Sequence, residues 1–166
     1  MFEYFTDPSR RILVIARDSA ASLEFRYVGS EHLLLALRSA DGIVPDVASI
    51  RLVTGIFDWF NLTHDAIKGQ VEARDRGNDR EGSEPGGLAF TADAVAIVRQ
   101  VALTIAFARG CRWIEPTHIL LALLDPSMSS SAAAEILTNL RVDKDVLYKE
   151  VLGTIADRER GLGVSA

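Results

Sequence analysis

The stretch Tyr27-Val28-Gly29-Ser30-Glu31-His32-Leu33-Leu34-Leu35-Ala36-Leu37 decides the reading of this chain. It returns as Trp113-Ile114-Glu115-Pro116-Thr117-His118-Ile119-Leu120-Leu121-Ala122-Leu123. A Phe-Thr pair stands upstream of each copy, Phe5-Thr6 and Phe90-Thr91. Phe5 and Phe90 are 85 residues apart and His32 and His118 are 86 apart, so the offset barely drifts. A duplicated helical unit favours a two-lobed binding module over a single catalytic cleft.

Outward from these segments the pattern is helical throughout. Thr6 can cap a first helix, with Asp7 at its positive end and Pro8 where no amide proton is needed. Ile12, Ile15, Ala16, Ser19 and Leu23 recur at helical spacing and mark its buried face. Ser30 is the expected N-cap of a short, nearly all-apolar helix over 31–38, covered on most sides. A third helix is expected from about Pro45 to Phe60, carrying Val47, Ile50, Val53, Ile56, Phe57 and Phe60. Asn61 ends it, and Thr63 with Asp65 opens a fourth through Ile67 and Val71.

Residues 72–87 hold no apolar side chain larger than Ala and four glycines, the composition of a solvated linker. The plan then repeats. Thr91 caps a helix to about Arg109, ended by Gly110. Pro116 opens a short apolar helix that Asp125-Pro126 closes. Two more run over 132–140 and from Asp143 to about Arg158, the last with Leu147, Val151 and Ile155 inward. The expectation is an all-α fold of about eight helices, one domain over 1–166: repeat one 1–71, linker 72–89, repeat two 90–158 and a frayed tail 159–166.

Composition narrows the function. A formal charge of −5 argues against a nucleic-acid binder. Cys111 is the only cysteine, so no intramolecular disulfide forms. The N-terminus lacks the basic-then-apolar pattern of a signal peptide, and no stretch approaches a membrane span. These features predict a cytoplasmic protein with no membrane partner. No P-loop spacing or Gly-x-Ser-x-Gly elbow occurs, and His32, His64 and His118 lack zinc-site company. Cys111 beside Arg112 could have a lowered thiol pKa, although a lone cysteine in a turn is more often inert. No catalytic residue, metal, cofactor or ATP site is expected. His32 and His118 read either as helix-start side chains bonded to their own turn or as site residues, and Glu31 either as a dipole partner or as a ligand-binding carboxylate.

At these residues the chain resembles the Clp N-terminal (Clp R) repeat domain, found at the front of ClpC- and ClpA-type AAA+ unfoldases. The carriers are Met1-Phe2-Glu3-Tyr4-Phe5-Thr6, Tyr27 to Leu34, Phe90-Thr91 and His118 to Leu123. The resemblance implies a pseudo-twofold pair of four-helix units. It also implies a non-enzymatic module that binds Clp components, adaptors and substrate peptides, modulating or protecting Clp proteolysis. The chain's divergence from the usual repeat and its natural-looking tail favour reading it as a free-standing, actinobacterial-type member, with the substrate-recognition piece of a longer unfoldase as the alternative. A homodimerising structural protein is a further alternative.

ClpC-type domains can recognise phosphorylated arginine through a Gly-Thr-Glu-His segment. The resemblance carries that role to Val28, Gly29, Ser30 and Glu31; in the second repeat Glu115-Pro116-Thr117 breaks the pattern. Actinobacterial ClpC domains also offer an aromatic groove to cyclic peptide antibiotics, which maps to Phe2, Leu13, Arg17, Phe90 and Val95. Two departures stand out. The segment between Gly42 and Leu62 is enlarged and carries Phe57, Trp59 and Phe60, either a new contact surface or packing between repeats. One extra residue between Phe90 and Gly110 must be absorbed by a bulge or shifted turn.

Overall fold

A computed structural model describes residues 3–44, 47–74 and 88–163. Phe2, Pro45 and most of the expected linker lie outside the described residues. In chain order the elements are α1 (Asp7–Ser22), β1 (Tyr27–Val28), α2 (Ser30–Ser39), α3 (Ala48–Trp59), α4 (His64–Glu72), β2 (Ala89–Phe90), α5 (Ala92–Ala96), a π turn (Ile97–Val101), α6 (Ala102–Ala108), α7 (Pro116–Leu124), a 3-10 turn (Pro126–Met128), α8 (Ala132–Asn139) and α9 (Lys144–Gly163). Since α5, the π turn and α6 run on as one rod, the described residues form eight helical rods.

The caps fall at the expected places with one correction. Thr6, Thr63 and Thr91 each accept an amide three residues on. Gly29, not Ser30, is the N-cap of α2, and Ser30 is its first residue. Along α1, Ile12, Leu13, Ile15, Ala16 and Ala20 are buried, while Ser19 and Leu23 are only half-buried. The last helix continues to Gly163, past the expected end at Arg158.

The centre is built from the two repeated segments. Every residue from Ser30 to Leu37 is buried, as are all nine of α7. A helix apolar on all sides must be enclosed by others. Around α2 pack α1, α3, α4, α7 and α8, and around α7 pack α1, α3, α6 and α9. Each fully buried Leu or Ile contributes about 1.5–3 kcal/mol. The buried side chains form a single cluster, so the repeats share one core instead of making two lobes.

Short parallel pairings, unforeseen from the sequence, lock the repeats reciprocally. β1 pairs with β2, matching Val28 to Phe90, and Phe5 bridges Ile114 in the same sense. The opening segment of each repeat thus pairs with the loop before the central helix of the other. The amide of Thr6 donates to the Ile114 carbonyl at 3.1 Å, and the amide of Thr91 donates to the Val28 carbonyl at 2.9 Å.

The extra residue of repeat two is located by its turns. Thr6 and Thr91 are 85 apart, whereas the left-handed residues closing the two helices, Glu24 (φ 62°) and Gly110 (φ 73°), are 86 apart. Between them lies the π turn, the one-residue expansion by which a helix absorbs an insertion.

Candidate functional site

At the start of α2 the His32 ring is fully buried, and its Nδ1 accepts the Gly29 amide at 3.0 Å. The ring packs edge-on against Phe25, with centroids 4.6 Å apart. Burial, with a smaller contribution from Arg74, lowers the His32 pKa to about 4. Repeat two copies the device: His118 Nδ1 accepts the Glu115 amide, also at 3.0 Å. Both histidines are therefore neutral caps of buried helix starts, the first of the two readings their positions allowed.

The Glu31 carboxylate is 98% buried at the side chain and lies 3.4 Å from His32 Nδ1. That contact is not an ion pair, because Nδ1 accepts a hydrogen bond from the Gly29 amide and so carries no proton. Glu31 Oε1 has no hydrogen-bond partner among the described residues. Burial raises the Glu31 pKa; Arg74 opposes the rise, and Asp93 and Glu135 add to it. The carboxylate occupies the space a side chain at position 29 would need: a Cβ there would collide with Glu31 Oε2. Val28 and Ser30 are fully buried. The Ser30 hydroxyl donates to Asp93 at 3.0 Å and accepts the Ala133 amide at 3.1 Å, tying α2 to α5 and α8 of the other repeat. Sequence reasoning missed that structural role, since both partners lie far along the chain.

The second expected site is an open groove of about 320 Å³ along α1. It brings together Leu13, Arg17 and Phe90, and adds Arg10, Val14 and Asp18. The Arg17 guanidinium lies over the Phe90 ring, 5.9 Å from its centroid. Val95 is half-buried and does not line this groove. Phe2 lies outside the described residues. Val14, 58% exposed, was legible as the residue beside Leu13 on the outer face of α1.

At the start of α7 the carboxylate has moved. Thr117 is buried where repeat one has Glu31, while the half-buried Glu115 faces Arg158 at 3.5 Å. Cys111, Thr117 and His118 share a small cavity of about 170 Å³ there. Burial, reinforced by Glu115 and Glu159, pushes the Cys111 thiol pKa up. The activating effect expected of Arg112 is absent, and its guanidinium sits over the Trp113 ring at 5.4 Å instead.

The enlarged segment divides. Phe57 is fully buried and Phe60 half-buried, so Phe57 is core, not contact surface. Trp59 is 80% exposed, which removes the reading that it packs between repeats. Among the described residues no helix is long and apolar enough to cross a membrane, and no three His, Cys, Asp or Glu side chains gather as a metal site.

No family model matches the sequence. Curated relatives match nearly all of it. The chain is 26% identical over 162 residues to the negative regulator of genetic competence ClpC/MecB of Bacillus subtilis, covering 97% of this chain and 18% of that protein. It is 28% identical over 166 residues to the chloroplastic ATP-dependent Clp protease ATP-binding subunit ClpA homolog CD4B of Solanum lycopersicum, covering 99% of the chain and 16% of that protein. The N-terminal domain of the chaperone ClpD from Arabidopsis thaliana superposes with a TM-score of 0.69 at 23% identity, covering 94% of this chain and 97% of that one. In sequence and in fold the chain is similar to the N-terminal regions of these ClpC- and ClpA-type proteins. The Hsp104 N-terminal domain of Candida albicans shares the fold, with a TM-score of 0.64 at 16% identity and 90% coverage of each chain. The chain spans less than a fifth of the length of these curated Clp relatives, and the match does not extend over their ATPase region.

Proposed function

We propose that this Clp N-type domain is a non-enzymatic binding module of the Clp proteolytic system that takes adaptor or substrate segments in the groove between α1 and Phe90. The observation that carries the reading is that groove. Apolar walls from Leu13, Val14 and Phe90 meet guanidinium groups of Arg10 and Arg17 at an open surface, the mix of anchor and polar rim that peptide sites use. The same walls suit an apolar cyclic peptide. Binding such ligands would modulate Clp proteolysis or protect it from a toxic ligand. The test is retention of Clp unfoldase or protease components, or their substrates, on immobilised protein. Recovery by the wild type and loss with Phe90→Asp is expected; recovery of none would overturn the reading.

A guanidinium-bearing ligand such as phosphoarginine is proposed for the start of α2. A buried carboxylate oxygen without a partner among the described residues supports it, as do Asp93 and Glu135, whose charges act on Glu31 against that of Arg74. The start of α7 has Thr117 in place of that carboxylate, so one site per chain is expected. Titration with free phosphoarginine should show binding that Glu31→Ala removes, a loss of about 1.5–3 kcal/mol for a charge-assisted bond. Binding should strengthen as pH rises through the raised Glu31 pKa, because only the ionised carboxylate attracts the cation.

A further inference from the structure

We propose that repeat two carries a second groove, distinct from that of α1, which docks an acidic peptide segment through an apolar or aromatic side chain. It is a cavity of about 270 Å³ walled by Tyr4, Phe5, Val98, Arg99, Leu103 and Ile114. The duplication relates it to the first groove. Phe5 stands 85 residues before Phe90, Leu13 85 before Val98, and Val14 85 before Arg99; Arg17 stands 86 before Leu103, past the inserted residue. The copy has changed character. Leu103 replaces the arginine that covers Phe90, and Arg99 replaces an apolar wall.

Three observations point to an occupant. First, Val98 and Arg99 lie on the π turn, so the one residue added to this repeat falls in the groove wall. Such turns recur at functional sites. Second, exposed aromatic residues gather at its edge. Phe107 lies one turn beyond Leu103 and meets Tyr4 edge-on with centroids 5.7 Å apart, while Trp113 directly precedes the wall residue Ile114. Tyr4, Phe107 and Trp113 are 45%, 51% and 46% exposed, three of the seven exposed large apolar side chains among the described residues. Aromatic side chains and arginine dominate binding hot spots, and a patch of this kind marks an interaction surface.

Third, one arginine lies on the wall and another two residues before the wall residue Ile114, on a chain of net charge −5. Arg99 and Arg112 are exposed, and neither has an acidic partner among the described residues. Glu3 is the one carboxylate on the groove wall. The guanidinium groups of Arg99, on the wall, and Arg112, over the ring of neighbouring Trp113, complement carboxylates flanking an apolar anchor and disfavour a basic segment.

The test uses the full chain with Trp59→Phe, which leaves Trp113 as the only tryptophan and so as reporter. It is titrated with the acetylated, amidated hexapeptide Asp-Glu-Phe-Leu-Asp-Glu and with its basic counterpart Lys-Arg-Phe-Leu-Lys-Arg. Saturable change with the acidic peptide is expected, with at least tenfold weaker binding of the basic one. Arg99→Glu with Arg112→Glu should weaken acidic-peptide binding at least tenfold, and added salt should do so progressively. Leu103→Ser with Phe107→Ser should also abolish the response; if that variant fails to fold, the charge variant decides alone. Arg17→Glu, which alters the first groove, should leave the Trp113 response in place, so the two grooves fail separately. Equal affinity for both peptides, or a response lost with Arg17→Glu and kept with Arg99→Glu, would overturn the proposal.

Discussion

At the start of α2, a glycine, a histidine and an enclosed carboxylate meet; at the start of α7 the same histidine caps a glutamate whose carboxylate faces outward to an arginine. The capping bond is 3.0 Å in both, so the part that forms the helix start has been kept. The part that has diverged is the placement of charge. Gly29 has no side chain, and the Glu31 carboxylate fills the space it leaves. Once Glu115 stands in the glycine's place, the third position becomes Thr117, small and neutral. The histidine serves the fold in both repeats, while the carboxylate is enclosed in one and partly exposed in the other.

The largest effect should come from removing the shared cap. His32→Ala deletes a buried ring and orphans the Gly29 amide, costing about 3 kcal/mol by analogy with aromatic truncations. His118→Ala should match it within about 1 kcal/mol in urea midpoints. A near-neutral His118→Ala would break the equivalence of the two helix starts.

Gly29→Ala should cost about 1–3 kcal/mol, because its Cβ would collide with the Glu31 carboxylate. Since the obstacle is a side chain, adding Glu31→Ala should restore most of the loss; failure to restore it would mean the backbone is at fault. The corresponding change in repeat two, Glu115→Ala, removes only a partly exposed ion pair and should stay within about 1 kcal/mol.

The histidines also predict an acid limb. His32 titrates near 4 when folded, below its unfolded value of about 6.5, and His118 is shifted the same way. Between these pH values the unfolded chain binds more protons, so stability should fall as pH drops from about 6.5 toward 4. In urea denaturation at a series of pH values, His32→Asn should flatten that slope; an unchanged slope would exclude His32 as its source.

Glu31 acts with the opposite sign. Its raised pKa means the folded state holds the proton longer, so its ionisation costs stability as pH rises. Glu31→Gln should therefore stabilise the protein at pH 7 by about 1 kcal/mol, raising Tm by roughly 2–4 °C. The gain should vanish in acid. No gain at pH 7 would mean that the carboxylate finds a partner in solution.

Much of this was legible in the sequence because the signals are local. Thr6, Thr63 and Thr91 cap helices through bonds to their own first turns. The all-apolar faces of α2 and α7 announce their central position, and the drift from 85 to 86 residues required a bulge or a shifted turn. What escaped was whatever depends on distant partners: the bond of Ser30 to Ala133, the pairing of Phe5 with Ile114, and the burial of Phe57 beside an exposed Trp59. The first groove was half legible, since Leu13, Arg17 and Phe90 meet there while Val95 does not.

The sequence by itself determined the helices, their caps, the duplication and the loss of the second carboxylate, because each is written within a turn or two of chain. Only the tertiary structure decided that the repeats share one core, that the inserted residue sits in a π turn on a groove wall, and which half of each amphipathic face remains open. Those outcomes depend on the reciprocal pairing of each repeat's opening segment with the opposite repeat, a contact between segments more than 60 residues apart that no local pattern encodes.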